Sequence, residues 1–138
     1  MDRRSTQPRD RRRRRAIPIA VAATLLPSGG CGDEDADRAA EAAGLYETVS
    51  VYWLAFSDGD GDTAVELLSE RCSSAAGLIR TAAEAVGARY DDLAPVGFDA
   101  EVEGNGAIVS YTFEDAPELE TQGQRWVLED GRWRYSDC

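Results

Sequence analysis

Val96-Gly97-Phe98-Asp99-Ala100-Glu101-Val102-Glu103-Gly104-Asn105-Gly106-Ala107-Ile108-Val109-Ser110-Tyr111-Thr112-Phe113 decides the fold. Apolar and polar residues alternate along it, the period of a half-buried strand. Asn105-Gly106 is the dipeptide that favours a two-residue hairpin turn. Folding the chain there sets Gly104 against Ala107, Val102 against Val109, Ala100 against Tyr111, and Phe98 against Phe113. The last six named then share one apolar face. The other face carries Asp99, Glu101, Glu103, Ile108, Ser110 and Thr112. A one-residue slip would mix the two sets, so the pattern itself dictates which side is dry.

Asp130-Gly131 marks a second hairpin. Glu129 then faces Arg132, Leu128 faces Trp133, and Trp126 faces Tyr135. The opposite side holds Arg125, Val127, Arg132, Arg134 and Ser136. One hairpin thus has an acidic outer face and the other a basic one. Side by side they would pair charges, each surface pair worth at most about 1 kcal/mol.

Upstream the period changes to 3.6. Leu45, Val49, Tyr52 and Phe56 fall on one helical face within residues 36–56, widened by Ala42, Tyr46 and Trp53. Ser57-Asp58-Gly59-Asp60-Gly61-Asp62 breaks that helix. Its alternating acids suggest a calcium loop, but such a loop needs Gly sixth and Glu twelfth, and Thr63 and Ser69 stand there. Thr63-Ala64-Val65-Glu66 reads instead as a capping box for a short helix burying Ala64, Leu67, Leu68 and Cys72. After Ser73-Ser74, Leu78, Ile79, Ala82, Ala83 and Val86 mark the core face of a third helix, weakened by Gly87 and ended by Asp91-Asp92. Three helices ahead of a four-stranded antiparallel sheet make an α+β layer packing.

The chain has 138 residues, room for one domain of ordinary size, and a formal net charge of −11. That balance averages two unlike parts. Residues 1–15 hold eight Arg against Asp2 and Asp10. From Cys31 onward seven Arg meet 24 acids, a charge of −17. Such a body repels phosphates, so no nucleic-acid partner is expected. There is no Lys and no His. The missing His removes the commonest general base and every His-containing metal set, and neither a metal nor a cofactor is expected. No apolar run reaches the roughly 18 residues that a spanning helix needs.

Arg11 to Arg15 precede Ala16-Ile17-Pro18-Ile19-Ala20-Val21-Ala22-Ala23-Thr24-Leu25-Leu26, then Pro27-Ser28-Gly29-Gly30-Cys31. A basic start, a short apolar stretch and a small-residue exit form the layout of an export signal over residues 1–30. The alternative is a basic arm, which gains nothing from the apolar run. Ser28-Gly29-Gly30-Cys31 resembles the lipobox of bacterial lipoproteins, with Ser28 where that family usually has Leu. The resemblance implies that Cys31 becomes the new N-terminus and carries a lipid anchor. Plain secretion and a retained signal anchor are the alternatives. Residues 31–37 are acidic and lack large apolar groups, so a solvated tether is expected there, with Asp35 or Asp37 placed to cap the first helix and a single domain over 38–138.

With Cys31 lipidated, Cys72 and Cys138 remain, and an exported protein sits where disulfides persist. Their bond would close a loop of about 67 residues, worth roughly 4 kcal/mol in the chain-entropy model. Two unrelated thiols are the alternative. Strict alternation puts Cys138 on the arginine face while Cys72 belongs near the apolar one. The bond therefore needs the strand to flare at Asp137, or the crosslink to pass round the sheet edge.

Tyr52-Trp53-Leu54-Ala55-Phe56 running into Asp60-Gly61-Asp62 and Ala64-Val65-Glu66-Leu67-Leu68, then Ala107-Ile108-Val109-Ser110-Tyr111, then Trp126-Val127-Leu128-Glu129-Asp130-Gly131-Arg132-Trp133-Arg134, resemble the nuclear-transport-factor-2-like superfamily. Small exported members of it, many of them actinobacterial lipoproteins, share this aromatic helix, this Gly-Asp turn and this closing strand. The resemblance implies a curved sheet wrapped round a long helix to form a cone.

Three functions follow as expectations. The first is a non-catalytic envelope lipoprotein whose cone binds a small apolar ligand or a partner protein. Trp53, Phe98, Tyr111, Phe113, Trp126, Trp133 and Tyr135 would line such a pocket, and the same residues would equally make a plain core. The second is an enzyme, because the superfamily includes isomerases and dehydratases with an acid or His inside the cone. Here the inward face offers Tyr111 and Tyr135 but no acid, so no catalysis is expected unless Asp99, Glu101 or Glu103 is buried beside Tyr111. The third is an interaction subunit, since the resemblance implies homodimers formed through the sheet. An enclosed pocket favours ligand binding, and an open face with a filled interior favours interaction.

Overall fold

The computed structural model describes residues 33–138. Residues 1–30, expected to be an export signal, and Cys31 lie outside the described residues. Helix α1 spans Asp33–Ser57, α2 Gly61–Glu66 and α3 Ala76–Gly87, with a 3₁₀ turn at Glu70–Ala75 between the last two. Strands β1 (Val96–Glu103), β2 (Gly106–Thr112), β3 (Thr121–Glu129) and β4 (Arg132–Tyr135) follow, all antiparallel neighbours in chain order. Helices first and sheet second, this is the expected α+β layering. Among the described residues no helix is long and apolar enough to cross a membrane.

The helix α1 starts earlier than its apolar period suggested. Asp33, Glu34, Asp35 and Asp37, expected in a tether or as caps, lie inside it. Acids are favoured in a first helical turn, where they offset the partial positive charge of unpaired N–H groups. Leu45, Val49, Tyr52, Trp53 and Phe56 are buried along one face, and that face reaches both β1 and β4.

Helix α2 is capped by Asp60 rather than Thr63. Asp60 accepts from the Thr63 backbone N–H at 3.0 Å and from its hydroxyl at 2.6 Å. Those bonds, the hydroxyl's first, hold the Asp60 carboxyl below its ordinary range. The third helix begins at Ala76, because Glu70–Ala75 winds as a 3₁₀ turn. Its core face is Ile79, Ala82, Ala83 and Val86, and Leu78 is 72% exposed. At about 100° per residue Leu78 falls about 90° from the centre of the stripe formed by Ile79, Ala82, Ala83 and Val86, and so outside it.

The end of α3 meets the turn after α1 without side chains between them. A Cβ on Gly87 would stand 2.5 Å from the Gly59 nitrogen and 2.7 Å from its Cα. Gly87→Ala should therefore push the helices apart and lower stability by about 2 kcal/mol, despite alanine's better helix propensity. Urea unfolding measures this; an unchanged or raised midpoint would mean the seam yields freely.

The first hairpin turns on Gly104-Asn105, one residue before the expected pair. Glu103 pairs with Gly106, Val102 with Ala107 and Ala100 with Val109. Gly104 has φ +60°, which the first central position of such a turn requires. Partners shift by two residues, an even number, so every side chain keeps its expected face. Ala107, Val109, Tyr111 and Phe113 are buried, and Phe98, Ala100 and Val102 half-buried against them. The second hairpin matches residue for residue, with Asp130 at φ +51° and Gly131 at φ +74°. Bulges interrupt β1 between Val96 and Asp99, and β3 between Thr121 and Gln124 opposite Val109 and Tyr111; each bends its strand.

The far edge of β4 is half covered. Tyr135 donates its N–H to the Leu67 carbonyl and accepts from the Ser69 N–H, both at 2.8 Å. That short parallel contact seats the 3₁₀ turn against the strand end. Beyond Tyr135 the chain leaves the sheet, and Cys138 comes to disulfide distance of buried Cys72, Cα–Cα 5.6 Å. The mismatch of faces is resolved by this departure. Such a pair suits an oxidising, extracytoplasmic compartment.

Candidate functional site

The inner layer brings the expected aromatics together. Tyr52 stacks on Tyr135 with centroids 5.2 Å apart and meets Trp126 edge-on at 5.6 Å. Trp53 meets Phe113 edge-on at 4.9 Å. Phe98, at the rim, is covered edge-on by Tyr46 at 5.1 Å. Trp133 is buried, and its indole N–H reaches the Glu41 carbonyl at 3.2 Å.

One chain of hydrogen bonds runs through this layer. The Trp53 indole N–H donates to the Tyr111 hydroxyl at 2.6 Å. Tyr111 donates to Gln124 Oε1 at 2.8 Å, and the Trp126 indole N–H donates to the same oxygen at 2.9 Å. Gln124 is buried and was not singled out in the sequence, although alternation from Trp126 and Leu128 places it inward. Its amide oxygen serves the polar ends of two aromatic side chains in an otherwise apolar layer.

Burial pushes the Tyr52 phenol far above its ordinary value, with Tyr135 and Tyr111 pushing the same way. Burial also raises Tyr111, against its own hydrogen bonds, and raises Tyr135, aided by Asp137. The folded state thus holds these protons more tightly than the unfolded chain, whose tyrosines titrate near about 10. Their contribution is whole below about pH 10 and is lost as pH rises beyond it. Urea midpoints should stay level from neutrality to about pH 9 and fall above about pH 10; a level profile through that upper range would contradict the burial of these phenols.

Asp99, Glu101 and Glu103 are exposed on the face opposite Tyr111. With Arg71, Arg125, Ile108 and Val127 they surround an open groove of about 290 Å³ on the outer side of the sheet, Asp99 excepted. Glu101 pairs with Ile108 across β1 and β2, and Ile108 with Arg125 across β2 and β3. The acidic and basic side chains are therefore two strands apart, about 10 Å, with an apolar floor between. This corrects the expected charge pairing of the hairpins: among the described residues the ion pairs are Arg38–Asp35 and Arg80–Asp62, both outside the sheet. The register keeps the three arginines on the expected outer face, since Val127 pairs with Arg134 and Glu129 with Arg132, but they do not line one site. Arg125 lines this groove with Ser136, whereas Arg132 and Arg134 line a separate cleft at the β4 edge. Arg71, contributed by the 3₁₀ turn, carries no sequence signal for this position.

Fold and site together define an α+β domain with a filled aromatic interior and a charged, apolar-floored outer groove. A solved structure of Rv3472, a Mycobacterium tuberculosis protein of unknown function, aligns with 78% of this chain and 73% of its own length. Its TM-score is 0.55 and its sequence identity 18%, a likeness of fold alone. No family model matches the chain, and no curated protein does.

Proposed function

We propose that this chain is a non-catalytic envelope lipoprotein of the nuclear-transport-factor-2-like type, anchored at Cys31, whose domain works by binding a protein through the outer face of its sheet. The groove carries this reading. Ile108 and Val127 give it an apolar floor, Glu101 and Glu103 one wall, and Arg71 and Arg125 the other. The inner aromatics, the natural lining for a small ligand, are packed on one another instead. The occupant that best fits the groove is a second copy of the chain. A two-fold axis through the groove sets the acidic wall of one copy against the basic wall of the other, as a self-complementary interface requires.

Light scattering on the exported chain should report a dimer that weakens with salt. Arg125→Glu should give a monomer, and adding Glu101→Arg should restore the dimer. A wild-type monomer at every concentration would sink the self-association. For the anchor, Cys31→Ala should abolish labelling by a lipid precursor and release the protein from membranes. A variant that stays membrane-bound at full length would point to a retained signal anchor.

A further inference from the structure

A second cleft, of about 340 Å³, opens where α1, the end of α2 and β4 meet, away from the outer groove. Three observations give it a chemistry. First, backbone groups along a strand alternate in direction. Tyr135 turns its N–H and C=O away from β3, toward Leu67 and Ser69. Trp133, two residues back, must turn its own pair to the same side, and it lines the cleft. Among the described residues nothing hydrogen-bonds that N–H or C=O, because the chain that covers Tyr135 has already coiled into α2 at this level. Second, Arg132 and Arg134 flank the opening and outnumber Glu66, the one acid that lines it. Arg134 donates to the Glu66 carbonyl across it, and exposed Arg132 makes no ion pair among the described residues. Third, the α1 wall is formed at Gly44, in the middle of a long helix where glycine is disfavoured. A Cβ there would meet nothing within 4 Å, so packing does not call for the missing side chain, and the space stays open.

We propose that this cleft takes an extended peptide segment bearing a carboxylate, laid beside Trp133 as a short added strand. The main chain of the peptide would complete the Trp133 edge, as strand addition does elsewhere, and its carboxylate would meet Arg132 and the remaining N–H groups of Arg134. On a body so rich in acids, a pair of arginines beside an open strand edge selects a short anionic segment over a long acidic one, which the surroundings would repel.

The test uses the isotopically labelled exported chain and two probes, acetyl-Val-Thr-Val-Asp and its neutral counterpart acetyl-Val-Thr-Val-Asn amide. In the free protein the Trp133 backbone amide should exchange quickly with solvent. The acidic peptide should shift that amide and slow its exchange, and should bind about tenfold more tightly than the neutral one. Arg132→Gln should erase most of that preference. Gly44→Leu should fill the cleft and abolish binding while the fold and the melting temperature hold, since leucine suits an open helical position. The proposal falls if neither peptide moves the Trp133 amide, if both bind equally, or if Gly44→Leu binds as the parent does. None of these readouts depends on the outer groove or on dimerisation.

Discussion

Replacing Cys72 and Cys138 together with alanine should cost about 4 kcal/mol and lower the melting temperature by roughly 20 °C. The two residues are 66 apart in sequence, and the segment between them contains α3 and every strand. Without the crosslink the unfolded chain regains the entropy of that whole loop. The folded state loses little in return, because Tyr135 remains bonded to Leu67 and Ser69, and the Ser69 hydroxyl to that of Ser136 at 3.1 Å. Thermal unfolding of the double variant and of the reduced parent should agree. A drop no larger than that of an ordinary surface substitution would show that the crosslink constrains little. The outer groove should also suffer, since Arg71 and Ser136 line it and each sits close in sequence to one of the cysteines.

Gln124→Ala should cost about 3 kcal/mol, although it deletes one neutral side chain. The loss comes from what is left behind. The Tyr111 hydroxyl proton and the Trp126 indole proton would both lose their acceptor inside an apolar layer. Gln124→Glu keeps an oxygen acceptor but buries a charge, and should be worse near neutrality than at acid pH, where the carboxyl is protonated. Tyr111→Phe combined with Gln124→Ala should cost less than the sum of the two single changes, because the first removes one of the donors the second orphans. Strict additivity in that cycle would mean that the hydrogen bonds are not coupled.

The second hairpin was legible pair by pair because Asp-Gly fits a turn with two positive φ values and no competing glycine stands nearby. The first was legible only in its faces. Asn105 has a glycine on each side, so two turn positions are open, and they differ by an even shift that leaves the polarity pattern unchanged. Polarity says which side of a strand is dry; it does not say which residues are opposite. Leu78 shows the same limit for a helix, where an apolar residue beside the core stripe reads as part of it. Gln124 was within reach by alternation, but its value lies in Tyr111 and Trp126, which only the fold brings to it. Arg71 was out of reach, because it enters the outer groove through the seating of a 3₁₀ turn on the end of β4.

The first two turns of α1 have a bearing on where this domain stands. Glu34 through Ala40 are exposed, and side-chain packing onto the rest of the molecule begins near Glu41. Only Gly32 separates Cys31 from the first helical residue. Wherever Cys31 carries a lipid, the domain therefore rides on a stiff post about 12 Å long instead of a slack leash. Proline placed at Arg38 would remove the N–H that bonds back to Glu34 and kink that post near its middle.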